Sequence, residues 1–499
     1  MSSIFSQSLK SKFTEEFIND VASNNSNYYV CFGRASPWDD DQNPPQANAA
    51  VSSYYYDVQQ NILFGKKVDP TDIAYMARNI QWTSNTIFDY YDDKDPNLYS
   101  KNYYVINQYG RVYKCLFNNY GAASLVVPNI TSTIGDFTTS DGYIWKYLYS
   151  VTSSYSKKFS TSNYFPANTD VSVKSHAEPG AIHLVVVDSS ANGYLHTTDF
   201  VQSLLTTTLV QISNTASSLS GAYTNSTFYI SNGTGAGTLR IISDYVVNTS
   251  GKFVSTFDQI NSLDSTSQYL ICPYVNIIGN GTGAEAIAYV NNYTTQIDSI
   301  QIVNRGLGYS YASVTIEANS IFVTGDTIAH TTIAPPGGHG SNPIKELGCD
   351  TTGLSVLIAN SDNFPSWITY RQLSLVYNPI ASTNNDIFTN VSFENFYIIN
   401  ISNIQQPFQP GEIITGFLSG ATATVLNCTP TQMQLIDVVG TFSNYEVVTG
   451  TFSGLTGTIS VIIPPELVIN TGEVFYYRNF EPVTRDPLSS EQIKLFFKV

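Results

Sequence analysis

Hydrophobic and polar positions alternate with two different periods along this chain. Between residues 8 and 22 the apolar residues Leu9, Phe13, Phe17, Ile18 and Val21 recur every three or four positions, which predicts an amphipathic helix. Residues 70–80, PTDIAYMARNI, carry Ile73, Met76, Ala77 and Ile80 at similar spacing behind a Pro-Thr start, and predict a second helix. Elsewhere the texture changes to short β-branched and aromatic runs cut by Gly, Asn, Ser and Pro. Residues 102–117, 143–151, 184–187, 299–303 and 372–377 are strand-length runs of this kind. The pattern predicts a mainly β protein.

Internal repeats refine that picture. NGTGAGTLRIIS (232–243) matches NGTGAEAIAYVN (280–291), and VVVDSSANGY (185–194) matches IQIVNRGLGY (300–309). The clearest pair is GEIITGFLSGATATV (411–425) with YEVVTGTFSGLTGTI (445–459), in which Thr415-Gly416 corresponds to Thr449-Gly450 and Ser419-Gly420 to Ser453-Gly454. Each copy reads as strand, Ser-Gly turn, strand. A lone hairpin cannot bury its apolar face, so each must stack on a neighbour.

Composition then removes whole classes of function. A chain of 499 residues suggests about three domains at roughly 100–200 residues each. Charged residues reach only 12%, and 39 acids against 23 Lys and Arg leave a net charge of -16. A chain with that balance repels a phosphate backbone, so nucleic acid is not an expected partner. The N-terminal segment lacks the apolar run of a signal peptide, and no run of 18 apolar residues occurs, so neither secretion nor membrane insertion is expected. Cys31, Cys115, Cys272, Cys349 and Cys428 are odd in number and lack a C-x-x-C pair, which predicts reduced thiols.

Motifs for catalysis or cofactor binding are missing or fail on inspection. The NGTGA segments and PPGGHG (335–340) have neither the preceding strand and following helix nor the G-K-S/T ending of a phosphate cradle, and read as β-turns. A calcium loop begun at Asp93 would place Asp95 and Asn97 correctly, but Leu98 stands where Gly is needed and Tyr104 where Glu is needed. The clusters Asp39-Asp40-Asp41 and Asp89, Asp92, Asp93, Asp95 therefore read as solvated loops. No G-x-S-x-G or H-E-x-x-H occurs, and His176, His183, His196, His330 and His339 never fall three or four apart. His339 reads as an ordinary turn residue. No catalytic residue, metal ligand or cofactor site is predicted, and the chain is not expected to be an enzyme. The 35 tyrosines, among them Tyr54-Tyr55-Tyr56, Tyr90-Tyr91, Tyr103-Tyr104 and Tyr476-Tyr477, are expected on strands and loops, divided between core and permanent protein interfaces.

An ordered set of blocks resembles one family. VCFGRASPW (30–38), ARNIQW (77–82), VYKCLF (112–117), DGYIWKYLYSV (141–151), FPSWITYRQLSLVYNPI (364–380) and GEVFYYRNFEPVTRDPLSSEQIKLFFKV (472–499) are similar to segments of the gene-product-eight baseplate wedge subunits of T4-like contractile-tailed bacteriophages. The likeness covers roughly 1–180, 346–380 and 466–499, about half of the chain, and leaves 181–345 and 381–465 as β insertions. It implies a β-sandwich core with helix-bearing loops plus inserted small β modules, a homodimer within each wedge, other baseplate wedge proteins as partners, and a place in the virion tail baseplate after assembly in the host cytoplasm. On this reading the chain connects neighbouring wedge subunits and transmits rearrangement during contraction. The alternative is a baseplate-attached binding or decoration protein that contacts adjacent tail proteins or host surface glycans. The matching blocks nominate Gly33, Arg34, Pro37, Trp38, Arg78, Trp82, Trp145, Tyr147, Arg371 and Arg478 as structural or interface residues. Among them, Gly33 permits a tight strand exit, Arg34 can fork onto a carboxylate or carbonyl, and Pro37-Trp38 supplies a packing anchor.

Overall fold

The computed structural model describes residues 5–23, 25–48, 52–318, 322–486 and 490–498. The chain is mainly β, with antiparallel sheets and one closed six-stranded barrel. It divides into two compact units, 1–76 with 350–499, and 77–349.

In the first unit five strands form a sheet in the order Ser392–Glu394, Ile62–Lys67, Tyr28–Gly33, Gln372–Tyr377, Glu473–Asn479. Tyr28–Gly33 is a continuous apolar run because both of its faces are covered. Tyr28, Val30 and Phe32 pack with Leu354, Val356 and Ile358 of strand Thr351–Ile358 and with Phe17 and Val21 of helix Gln7–Val21. Tyr29 and Cys31 point the other way, toward Val58 of helix Ser52–Asn61 and toward Phe388, Phe393 and Leu467. A sandwich core carrying helices results, as expected. Helix Gln7–Val21 starts at Ser6, whose hydroxyl accepts from the Leu9 N–H, and buries Thr14, Phe17 and Val21 while Leu9 stays exposed.

Two local expectations are corrected. Residues 70–80 are not helical: Pro70–Asp72 is a single 3₁₀ turn capped by Asp69, and Ile73–Arg78 is a strand. A capping turn needs only three residues, and here it is followed by pairing of Ile73 through Met76 with Leu354 through Thr351, whose ladder outcompetes a marginal short helix. The Tyr54-Tyr55-Tyr56 run lies in helix Ser52–Asn61 rather than on a strand, with Tyr55 against Tyr477 and the rings of Tyr54 and Tyr56 exposed.

The barrel, Tyr397–Ser402, Gln432–Val439, Thr422–Cys428, Ile413–Gly416, Val447–Gly450, Thr456–Ile463 in spatial order, closes on itself around Ile399, Ile414, Val425, Leu435, Val448 and Ile459. Closure is how the two repeated hairpins bury the faces that neither could bury alone.

The second unit holds a four-stranded sheet, Tyr104–Ile106, Arg111–Asn118, Tyr143–Ser150, Phe137–Thr138, and a twelve-stranded sheet running from Ser203–Thr206 to Ile328–Ile333. Both NGTGA segments lie at or beside turns between paired strands, with Gly233, Gly235, Gly237 and Gly283 at positive φ. Residues 77–180 fold together with 181–349, a grouping different from the one drawn on the sequence. Bonds that cross the expected boundary account for it: the Ile333 N–H donates to Asp93 Oδ1 at 2.8 Å and Arg305 Nη2 donates to Asp136 Oδ1 at 2.5 Å.

Candidate functional site

The nominated residues of the first unit gather at one corner. Gly33 ends its strand where a Cβ would stand 2.5 Å from the Asn61 carbonyl oxygen, so no larger residue fits. Arg34 then turns the chain at φ 53, its N–H donating to that same carbonyl at 2.9 Å. Its guanidinium lies 3.8 Å over the Trp38 ring and 3.5 Å from Asp57, so Trp38 is the platform for a cation rather than a core residue. Arg371, buried, forks onto Asp41 through Nε at 2.8 Å and Nη2 at 2.7 Å, and its Nη1 donates to the Ala35 carbonyl at 2.6 Å. The hydrogen bonds and charge of Arg371 hold the Asp41 carboxyl at about 2. Asp41 thus ties the 34–41 corner to the strand that begins at Gln372. Pro37 is exposed, and Arg478 stands exposed on the edge strand Glu473–Asn479, cross-strand from Leu373.

In the second unit Trp145 is fully buried, stacked on Tyr143 at 5.4 Å and edge-on to Phe88 at 6.0 Å, within a cluster that includes Tyr147 and the half-buried Trp82. Trp82 donates from Nε1 to Ser124 Oγ, and Arg78 donates from Nη2 to the Lys101 carbonyl. These residues serve packing and chain fixation. Asp141, at the head of the DGYIWKYLYSV block, accepts from the N–H groups of Leu125 and Val126 at 2.7 and 2.9 Å.

The acidic loop has ordinary employment. Asp92 accepts from the Lys94 N–H, Asp95 from the Asn97 N–H and the Lys101 ammonium, and Asp89 from the Asn102 N–H. Among the described residues no group of three or more His, Cys, Asp or Glu converges as a metal site.

Two features had no counterpart in the sequence reading. The first is a reciprocal brace inside the barrel. Glu412, buried, accepts from the N–H groups of Phe452 (3.0 Å) and Ser453 (2.7 Å) in the second repeat and from Gln409 (3.3 Å) in its own. Glu446, equally buried, accepts from Leu418 (3.1 Å) and Ser419 (3.0 Å) in the first repeat and from Ser443 (2.5 Å) in its own. Burial alone would raise both carboxyls, but the converging N–H groups outweigh it and hold both below the usual range. Strands Ile413–Gly416 and Val447–Gly450 pair antiparallel about Thr415↔Thr449, so the module carries a local two-fold relation. Gly416 and Gly450 are required here, since a Cβ on either would collide with the carboxylate of Glu446 or Glu412 respectively. The turns held by the two glutamates thrust Phe417 (81% exposed), Leu418 and Phe452 (82% exposed) outward. A detectable signal existed: a glutamate at the same place in both copies of a stretch without any Lys or Arg.

The second is a buried ionic cluster in the 77–349 unit. Lys114 and Lys146 sit directly opposite each other on neighbouring strands, both buried. Lys114 is ion-paired with buried Glu346 and donates to His339 Nδ1 at 2.9 Å. Glu346 also accepts from the N–H groups of Gly340 (2.8 Å) and Asn342 (3.1 Å), which shapes the PPGGHG loop around it. Lys146 donates to the Gly135 carbonyl at 2.8 Å. The ring of His339 meets His183 edge-on at 4.4 Å, and His183 lies 3.6 Å from Asp136, which Arg305 contacts at 2.5 Å. His339 is therefore a buried member of a charge network, contrary to its reading as a plain turn residue. Burial, reinforced by the Lys114 charge, holds the His339 imidazole far below its ordinary value, and burial lowers His183 despite Asp136. Burial alone would raise Asp136, yet His183 and Arg305 hold its carboxyl at about 2. Spacing in sequence could not reveal the cluster, because its members come from six separate segments between 114 and 346. No family model and no curated protein matches this chain.

Proposed function

We propose that this chain is a structural component of a phage tail baseplate wedge, which joins neighbouring wedge subunits and passes on their rearrangement when the tail contracts. One observation carries the reading: the scattered blocks VCFGRASPW, FPSWITYRQLSLVYNPI and GEVFYYRNFEPV meet as hydrogen-bonded neighbours, Tyr28–Gly33 with Gln372–Tyr377 and Gln372–Tyr377 with Glu473–Asn479. Segments widely separated along the chain that resemble one family in order thus build one sheet, with the Arg34–Trp38 and Arg371–Asp41 contacts locking its corner. Apolar side chains presented on rigid turns, Phe417 and Phe452 foremost, suit work by stable association, whose interfaces are enriched in aromatics. In this role the protein is a homodimer within each wedge and binds other wedge proteins.

Light scattering on the purified chain tests this. A particle of twice 54.9 kDa that co-elutes with other wedge components is expected. A lone species of 54.9 kDa that binds none of them would contradict the proposal. Release of reducing sugar from host polysaccharide would replace it with an enzymatic role.

A further inference from the structure

We infer that the His339–Lys114–Glu346 cluster is an acid-sensitive latch, which fastens the 335–349 segment to the sheet of Arg111–Asn118 and Tyr143–Ser150 and releases it when the two histidines take up protons. The inference goes beyond the proposed structural role and does not depend on it.

Charge balance is the first argument. The groups that face His339 and His183 are Lys114 and Lys146 from the sheet, Asp136 from the loop before Phe137–Thr138, Glu178 from the segment before Ile182–Ser189, Arg305 from strand Ile297–Leu307, Glu346 from helix Pro343–Glu346, and the Tyr91 ring, 4.9 Å from that of His339. Lys114 and Lys146 are balanced by Glu346 and Asp136 within the cluster, and Arg305 by the exposed Glu178 at its rim, so the cluster is neutral only while both imidazoles are neutral.

Hydrogen-bond direction is the second. Burial lowers the Lys114 pKa while its ion pair with Glu346 favours the ammonium; an ammonium has donors only, so His339 Nδ1 accepts from Lys114 Nζ and the ring proton is assigned to Nε2. That Nε2 is buried and has no hydrogen-bond partner among the described residues. A second proton on His339 would go to Nδ1, where it would face the Lys114 ammonium donor to donor at 2.9 Å, while the Glu346 carboxylate, 4.0 Å away and engaged by Lys114, lies beyond hydrogen-bond distance. Closure and protonation of His339 are mutually exclusive unless Lys114 leaves Glu346. His183, edge-on to His339 at 4.4 Å, adds a second buried imidazole whose charge burial and the Arg305 cation oppose more strongly than Asp136 favours it.

The sign follows from linkage. Both imidazoles are held below their ordinary value of 6.5 while the latch is closed and return to it when the segment opens into water. The closing contribution is therefore complete above pH 6.5 and declines as pH falls below it. Each proton taken up on opening raises the opening constant tenfold per pH unit, so two histidines raise it up to about a hundredfold.

Hydrogen exchange of the full chain between pH 7.5 and 5.5, expressed as protection factors for the amides of 335–349, reads the opening directly. Protection that drops at least tenfold per pH unit below 6.5 is expected in the wild type, with a flat profile in a His339→Asn/His183→Asn double variant, where each amide oxygen keeps the acceptor and cannot titrate. Equal protection at both ends of the range in the wild type, or an undiminished drop in the double variant, would overturn the latch. Should the variant fail to fold, the ¹³C-labelled imidazole of His339 in the native wild type decides. Titration at or above pH 6.5 in the folded protein refutes the inference, and a ring that stays neutral until protection is lost supports it.

Discussion

The barrel and the 77–349 unit solve the same problem, a carboxylate buried out of water, in two different ways. Glu412 and Glu446 each accept from three backbone N–H groups, Glu446 also from the Ser419 hydroxyl, and neither forms an ion pair among the described residues. Glu346 combines two backbone N–H groups with a lysine ammonium, and that lysine is itself buried. A nest of amides is a fixed part of the fold that cannot titrate, so the barrel's brace depends only on its own carboxylates. A buried ion pair brings a second ion whose desolvation must also be offset, and the neighbouring histidines make that offset depend on pH. The barrel is therefore expected to be the insensitive region and the cluster the sensitive one at mildly acidic pH.

The contrast breaks most visibly at Lys114. Lys114→Met strands Glu346 without its cation, and a loss of about 3–5 kcal/mol in denaturant unfolding is expected, most of it regained when Glu346→Leu is added. In the barrel the next largest effect is expected. Glu412→Gln and Glu446→Gln each turn one oxygen into an NH₂ that opposes an N–H, at a cost of about 1–3 kcal/mol. Because the two braces mirror each other, their measured losses should agree within about 0.5 kcal/mol; a disparity several times larger would show that the local two-fold relation is geometric only.

A smaller, solvent-screened effect belongs to Asp41. Its carboxyl is held at about 2 by Arg371, below its ordinary 3.8, so its contribution is intact above pH 3.8 and lost as pH falls toward 2. In Asp41→Asn the part of the acid-unfolding profile below pH 3.8 should flatten, as read by circular dichroism against pH. The smallest effect on stability is expected at the barrel's outer turns. Phe417→Ser with Phe452→Ser should leave unfolding within about 0.5 kcal/mol of the wild type while weakening association in light scattering. A large loss of stability there would mean that these rings are part of the barrel's own packing.

Patterning along the chain made the β class, the first helix and the paired hairpins legible, since each is encoded by local spacing. The strand at Ile73–Arg78 was not, because its apolar positions suit helix and strand alike and only the partner strand Thr351–Ile358, far along the chain, decides. The same reasoning explains the corner and the cluster. Gly33, Arg34 and Trp38 lie within one six-residue stretch and were nominated together, with Arg371 nominated from a distant block and Asp41 noticed only as part of an acidic run. His339, Lys114 and Glu346 carry no motif, and their chemistry arises from burial that the sequence does not display. Trp145 and Trp38 were nominated alike from their blocks; burial places Trp145 in the core and stacking makes Trp38 a platform for Arg34.

The proposed role, a building element of a tail baseplate, makes a direct prediction about the particle. An electron cryomicroscopy reconstruction of the intact particle tests that most directly. Density for this fold in the ring around the tail tube, in paired copies within each wedge, is the expected result. A particle whose baseplate lacks the chain, or that carries it only in the capsid, would contradict the account.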